Sequence, residues 1–197
     1  MPSVGGHDTT LPGVRGLARA LGVSPAVISV DAHTDFRPPR AGASRDEPNS
    51  GSPFRRLIED GVIEGPRFRV LGLAEHRVAP AHLDWLKAQG ANAVFRSDMR
   101  RDAQDLPECF AEVMEKPGMA GRPLALSVDL DVMPLAGLSA VGGAGVPPLE
   151  VTRAAWLAGS RPSTCYLDVV ECAPSLDPTG RTQVIAWYTM LQDLGHA

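Results

Sequence analysis

The sequence predicts an α/β fold of three layers, a mostly parallel sheet between two layers of helices. Three observations carry that expectation. Short β-branched or aliphatic runs alternate with helix-length amphipathic segments along the chain, the pattern of parallel strands joined by helical crossovers. The strand-like runs are apolar nearly throughout, as strands covered on both faces are. Two of them end in acidic residues, and open α/β sheets carry their sites beyond the carboxyl ends of their strands. The 197 residues suffice for one sizeable core and are read as a single domain, 1–197.

Each element has a local signal. Ahead of Gly5 and Gly6 only residues 1–4 could form a strand, a marginal length, and they lead straight to His7. A helix is expected over 9–21. Leu11, Val14, Leu17, Ala18 and Leu21 repeat at helical spacing, Asp8 is placed as N-cap, Pro12 lies in the first turn and Gly22 takes the C′ position. Val27, Ile28 and Val30 make a strand tipped by Asp31, His33 and Asp35. If the chain stays extended there, those three side chains share one side. Residues 36–51 form a polar loop too long for a simple connector. Ser52 as N-cap and Pro53 at N1 start a short helix that stops before Gly61. Strand 68–73, helix 80–89, strand 92–95 and helix 107–115 follow, and residues 124–131 read as a strand tipped with acid. After a Gly- and Pro-rich loop, helix 149–158, strand 164–171 and helix 180–194 complete the alternation. Trp85, Trp156 and Trp187 fall in helices as packing residues, His76 and His82 as surface or packing histidines, and His196 in a frayed tail.

Three segments offer metal-capable side chains: His7; Asp31, His33 and Asp35; and Asp129 and Asp131. Four carboxylates packed together raise one another's pKa unless cations balance them, and two divalent ions would do so. Mostly oxygen ligands, with about one imidazole per ion, favour a hard ion such as Mn²⁺ over Zn²⁺. The cysteine-rich spacing of structural zinc sites is absent.

The succession Gly5-Gly6-His7, Asp31-Ala32-His33-Thr34-Asp35, Ser127-Val128-Asp129-Leu130-Asp131 and Asp168-Val169-Val170-Glu171 resembles the ureohydrolases, the family of arginase, agmatinase and formimidoylglutamase. The resemblance covers residues 4–191 and implies an arginase-like αβα fold with two Mn²⁺ per chain. It implies that His7, Asp31, Asp35 and Asp129 hold one ion. Asp31, His33, Asp129 and Asp131 would hold the other, so that Asp31 and Asp129 bridge. A hydroxide between the ions would attack an amidine-type carbon, and Glu171 would hold the cationic nitrogen end of the substrate. Where arginases and agmatinases carry a His-Gly pair this chain has Ser50-Gly51. That difference, with Ser-Gly-x-Pro-Phe over 50–54, Pro134, the Ala136 to Ala140 segment and Asp177 to Thr182, is most similar to formimidoylglutamase.

The reaction so implied is hydrolysis of N-formimidoyl-L-glutamate to L-glutamate and formamide, in histidine breakdown. Two substrate carboxylates need cationic partners, drawn from Arg37, Arg55, Arg56, Arg77 and Arg181, because arginine's planar fork suits a carboxylate. Ser50, Arg37 and Arg181 are the expected substrate-binding residues. Val4 and Asp8 depart from the family pattern, and family members carry more chain before the Gly-Gly-His turn. The chain is therefore read as N-terminally truncated, with His7 the most loosely held ligand and self-association into a homo-oligomer expected. Two alternatives stand beside this reading: a ureohydrolase of agmatine or guanidino acids, and a non-catalytic metal-binding homologue.

Composition narrows the partners. A net charge of −4 offers no basic face for nucleic acid. No apolar run reaches the ~20 residues of a membrane span, and the first residues lack the charged and apolar regions of a signal peptide. Cys109, Cys165 and Cys172 are odd in number and without close pairing, which fits reduced thiols and a cytoplasmic setting. The expected partner is a small-molecule amidine.

Overall fold

The computed structural model describes residues 3–39, 42, 44, 47–134 and 145–194. Its elements run β1 (Ser3–Gly5), α1 (Thr10–Leu21), β2 (Ala26–Val30), α2 (Pro53–Glu59), β3 (Phe68–Leu73), α3 (Pro80–Ala88), β4 (Asn92–Phe95), α4 (Arg96–Arg101), α5 (Leu106–Met114), β5 (Leu124–Asp129), α6 (Pro148–Gly159), β6 (Thr164–Val170) and α7 (Arg181–Leu194). The strands form one six-stranded sheet in the order β1-β6-β5-β2-β3-β4, every neighbouring pair parallel.

Both faces of the sheet are covered, which is why its strands read as continuous apolar runs. On one face Val27, Phe68, Val70 and Ala125 pack with Leu11 and Val14 of α1, Phe54 and Leu57 of α2 and Leu86 of α3. On the other, Ile28, Val30, Leu126 and Val128 meet Phe110 of α5, Val151 and Ala154 of α6 and Ala186 of α7. The alternation along each strand thus sorts residues between two cores, and each fully buried large side chain contributes ~1.5–3 kcal/mol.

Local chemistry sets the helix ends. Gly22 closes α1 with φ 67°, as only glycine does without cost. The expected Asp8 cap is not made. His7–Thr9 coil into a turn of 3₁₀ helix, and the Thr9 hydroxyl donates to the Gly6 carbonyl at 2.8 Å. Pro53 takes the first position of α2, but the Ser52 hydroxyl turns back to the Asn49 carbonyl at 3.3 Å instead of capping. A capping box between Asp105 and Glu108 starts α5 at Leu106, one residue before the expected start. The short α4 was not expected; its sequence is polar, and among its residues only Met99 is buried.

Trp85 packs on Phe36, as expected of a packing residue, while Trp156 and Trp187 are 42% and 61% exposed. No helix among the described residues is long and apolar enough to cross a membrane. The Ala136 to Ala140 segment and His196 lie outside the described residues.

The chain runs from β2 outward through β3 and β4, then returns to place β5 on the other side of β2. The boundary between β2 and β5 is therefore the switch point where strand order reverses, the usual place for a site in such sheets. The residues that follow or close those two strands are Asp31 and Asp129.

Candidate metal centre

The C-terminal ends of β1, β6, β5 and β2 lie side by side and each delivers a polar side chain. His7 follows β1, Glu171 follows β6, Asp129 ends β5 with Asp131 just beyond, and Asp31, His33 and Asp35 follow β2. Six of these residues form two groups close enough to hold a metal ion: His7, Asp31, Asp35 and Asp129; and Asp31, His33 and Asp131. All six expected metal residues are thus brought together, with Asp31 common to both groups and Asp129 in the first.

The local backbone decides this division. Asp31 and Asp129 repeat one device: each carboxylate Oδ1 accepts the backbone N–H two residues on, from His33 at 2.7 Å and from Asp131 at 2.8 Å. These Asx-type turns bend the chain away from the strand direction. The expectation that Asp31, His33 and Asp35 share one side of an extended strand is corrected here. Asp35 has φ 51°, and after the bend Asp35 reaches His7 while His33 reaches Asp131. Likewise 124–131 is not one strand, since β5 stops at Asp129 and 130–132 coil. Glu171 also has a positive φ, 61°. A left-handed acidic residue is held against its preference by surrounding structure, and such positions gather at functional sites.

The electrostatics are those of a site short of positive charge. His7 Nδ1 stands 2.7 Å from Asp35, 3.1 Å from Asp129 and 3.4 Å from Asp31. Burial opposes a charge on His7, yet the carboxylates of Asp35 and Asp129 outweigh it and hold the imidazole well above its ordinary pKa. Hydrogen bonds to Asp131, at 2.9 Å, and to Asp31 push His33 up to about 11. Burial, then the charge of Asp35, raises Asp31 to about 7. Burial, then Asp31 and Asp131, lifts Asp129 well above the usual carboxylate range. Protons stand where cations would neutralise the same oxygens. The donor set fits divalent ions on a second ground: Asp131 Oδ1 is a buried polar atom without a hydrogen-bond partner, and the three carboxylates of Asp31, Asp35 and Asp129 share the one Nδ1 of His7.

Beside these groups lies a cleft of about 350 Å³ whose wall includes His33, Asp35, Asp129 and Asp131 together with Arg37, Ser50 and Glu171. The Arg37 guanidinium lies against Gly51, where even a Cβ would come within 3.0 Å of its carbon. Glu171 Oε1 accepts the His7 backbone N–H at 2.9 Å, tying the tips of the neighbouring strands β1 and β6 together. Arg181 is exposed at the start of α7 and is not among the described residues lining this cleft. Arg55 pairs with Glu59 at 2.8 Å and lies over the Trp85 ring, Arg56 is buried and reaches the Glu47 carbonyl, and Arg77 sits in a 3₁₀ turn after β3. His76 and His82 belong to neither metal-capable group.

The sequence reading assigned no role to four residues around His7, two touching its ring and two beyond them. Phe54 presents an edge-on ring contact at 5.0 Å, and Ser127, Thr10 and Asp168 form a polar chain behind the imidazole. Ser127 lies two residues before Asp129 on β5, so strand alternation alone places both on one side.

The Arginase family model matches residues 4–194. The chain belongs to the arginase family. Among curated relatives in that family, the formimidoylglutamase of Bacillus subtilis is 29% identical over 98% of this chain. That of Aromatoleum aromaticum is 36% identical over 81%. The chain spans 60% and 46% of the length of those two relatives. The crystal structure of the B. subtilis protein superposes with a TM-score of 0.87 at 26% identity, covering 98% of this chain and 59% of that one. A formiminoglutamase of Trypanosoma cruzi crystallised with Mn²⁺ superposes with a TM-score of 0.82 at 26% identity, covering 97% and 64%. The arginase-family fold expected from the motifs is the fold observed.

Proposed function

We propose that this chain forms the core of a binuclear manganese hydrolase acting on the C–N bond of a linear amidine, N-formimidoyl-L-glutamate, releasing L-glutamate and formamide. The observation that carries this reading is one cleft in which two metal-capable groups, Glu171, Arg37 and Ser50 meet. The oxygen-rich donor set suits Mn²⁺. His7, Asp31, Asp35 and Asp129 would hold one ion, and Asp31, His33 and Asp131, with Asp129 as second bridge, the other. Two divalent ions, when bound, supply Lewis acidity and a nucleophile from water at neutral pH.

The chain's own residues then bind and orient. Glu171 offers a carboxylate to the cationic nitrogen end of an amidinium. Arg37 offers a planar fork to a substrate carboxylate across the same cleft. Ser50 offers a hydroxyl and no titratable proton. The formimidoyl carbon would gain the oxygen of water and lose its bond to the glutamate nitrogen, which leaves as the amine. A carbon bearing two nitrogens is less stabilised against attack than a guanidinium carbon bearing three, so a histidine shuttle is less needed there. The setting is the cytoplasm, in histidine catabolism, and the three free cysteines accord with it.

The test is metal analysis with a substrate panel on the Mn²⁺-loaded chain. Formamide release from N-formimidoyl-L-glutamate, with little urea from arginine, agmatine or guanidinobutyrate, is expected. Faster turnover of a guanidino substrate would move the chain to the ureohydrolase reading. Bound manganese with no turnover on any of them would favour a metal-binding homologue without catalysis.

A further inference from the structure

Behind His7, on the side away from the carboxylates, a layer of apolar packing is interrupted by a buried polar chain. His7 Nε2 lies 3.0 Å from Ser127 Oγ, and Ser127 Oγ 3.3 Å from Thr10 Oγ1. Thr10 Oγ1 donates to Asp168 Oδ2 at 2.6 Å, and the Tyr166 hydroxyl donates to the same oxygen at 2.7 Å. His7, Thr10, Ser127 and Asp168 are at most 1% exposed. The fold sets this up directly: Ser127 and Asp168 are register partners on β5 and β6, and Thr10 is the first residue of α1.

The direction of the chain follows from its far end. A carboxylate accepts and does not donate, so the single hydrogen of Thr10 goes to Asp168. Thr10 can then only accept from Ser127, and Ser127 can only accept from His7. Nε2 therefore keeps its hydrogen, so that when the proton on Nδ1 gives way to an ion it is the Nδ1 lone pair that faces Asp31, Asp35 and Asp129. Burial, followed by the neighbouring Asp168 charge, pushes Tyr166 up, so its hydroxyl keeps its proton and reinforces the arrangement.

We propose that Asp168, acting through Thr10 and Ser127, is a positioning residue that fixes the tautomer and orientation of His7 as a metal ligand. The proposal rests on the reading of His7 as a ligand and adds the device that sets it. Buried polar groups are retained at a cost unless fully partnered, and partners of a ligating histidine tune both ring orientation and affinity.

The experiment compares Thr10→Val, Thr10→Ser and Asp168→Asn in the full chain. Mn²⁺ affinity is read by calorimetric titration. The ring tautomer is read by long-range nitrogen–proton NMR of histidine-labelled protein loaded with diamagnetic Cd²⁺. Thr10→Val keeps shape and removes the link, and should lose about 10–100-fold in affinity for the His7-group ion, while Thr10→Ser stays within about threefold of the parent. Asp168→Asn places a donor at the end of the chain, which lets the hydroxyls reverse and should move hydrogen density from Nε2 toward Nδ1. The parent chain should show hydrogen on Nε2, a measurement that needs no variant and survives a failure of Thr10→Val to fold. Hydrogen on Nδ1 in the metal-loaded parent, or equal affinities for Thr10→Val and Thr10→Ser, would overturn the proposal. A parent chain that binds no Mn²⁺ would instead overturn the proposed function.

Discussion

Replacing Asp31 by Asn should stabilise the metal-free chain and abolish its response to manganese. The Asp31 carboxylate is fully buried, and burial together with the charge of Asp35 raises its pKa from 3.8 to about 7. A group raised in this way contributes stability that is present below its unfolded pKa and lost as pH rises through the folded one. Above about pH 7 the ionised acid thus carries a penalty of up to about 4 kcal/mol, at about 1.4 kcal/mol for each pH unit between the two values. Asn has the same shape and no charge. The attraction of His33 is already contained in that figure. The buried amide NH₂ that Asn adds costs about 2–3 kcal/mol where it lacks an acceptor, which leaves a net gain of about 1–2 kcal/mol.

For a chain of this size that gain is a rise in Tm of about 2–8 °C. The parent should gain about 2.7 kcal/mol per ion with Mn²⁺ at about a hundredfold excess over Kd, and the variant almost nothing. Calorimetry in chelator and in Mn²⁺, at about pH 5 and about pH 8, reads both effects, with the metal-free gain smaller at the lower pH where the folded acid is already protonated. An Asn variant that melts below the parent in chelator at the higher pH, or that keeps the parent's manganese shift, would refute the reasoning.

The remaining expectations concern the cleft and its protons. Glu171→Gln should leave Mn²⁺ content nearly unchanged and lower kcat/KM by about 10²-fold or more, because a Gln amide oxygen can still accept the His7 N–H while the charge offered to substrate is lost; metal analysis beside kinetics separates the two. Arg37→Ala should raise KM for an acidic amidine by about tenfold with kcat little changed, as expected of uniform binding; an unchanged KM would remove Arg37 from the substrate. Mn²⁺ binding should release protons and strengthen from about pH 6 to about pH 8, since His7, Asp31, His33 and Asp129 are all raised and must give up protons to an ion. Binding measured in buffers of different ionisation enthalpy counts those protons, and a count of zero would contradict the raised values.

Much of this molecule was legible from residue order. The strands Phe68–Leu73 and Asn92–Phe95 have the expected bounds because turn residues bracket short apolar runs. The Gly22 stop and the Pro53 start were also readable, since each residue has one backbone conformation or position that suits it. The short α4 was not, because six residues with one buried side chain carry no periodicity. The six metal-capable side chains could be named from the residues, whereas their division into two groups came only from the family resemblance and not from spacing. That division depends on two Asx-type turns and on a left-handed Asp35, conformations that surrounding structure imposes. Arg181 and Arg37 were indistinguishable as sequence, for what separates them is which loop folds over the strand tips. Ser127 and Asp168 stood in two of the motifs without a role, and Thr10 in none, until strand register set Ser127 and Asp168 side by side.

The hydrogen bond from the His7 N–H to Glu171 joins positions 164 apart in the chain. It belongs to the pairing of β1 with β6, the first and last strands of the sheet in chain order. Closing so long a loop costs only slowly growing entropy, but it cannot happen early. At a synthesis rate of about 5–20 residues per second, roughly 8–30 s separate the emergence of His7 from that of its partner. Asp31 and Asp35 are made early in that interval, and Asp129 and Asp131 only in its last part. The group built on His7 therefore cannot close until β6 has left the ribosome and paired with β1, however early its other residues are made.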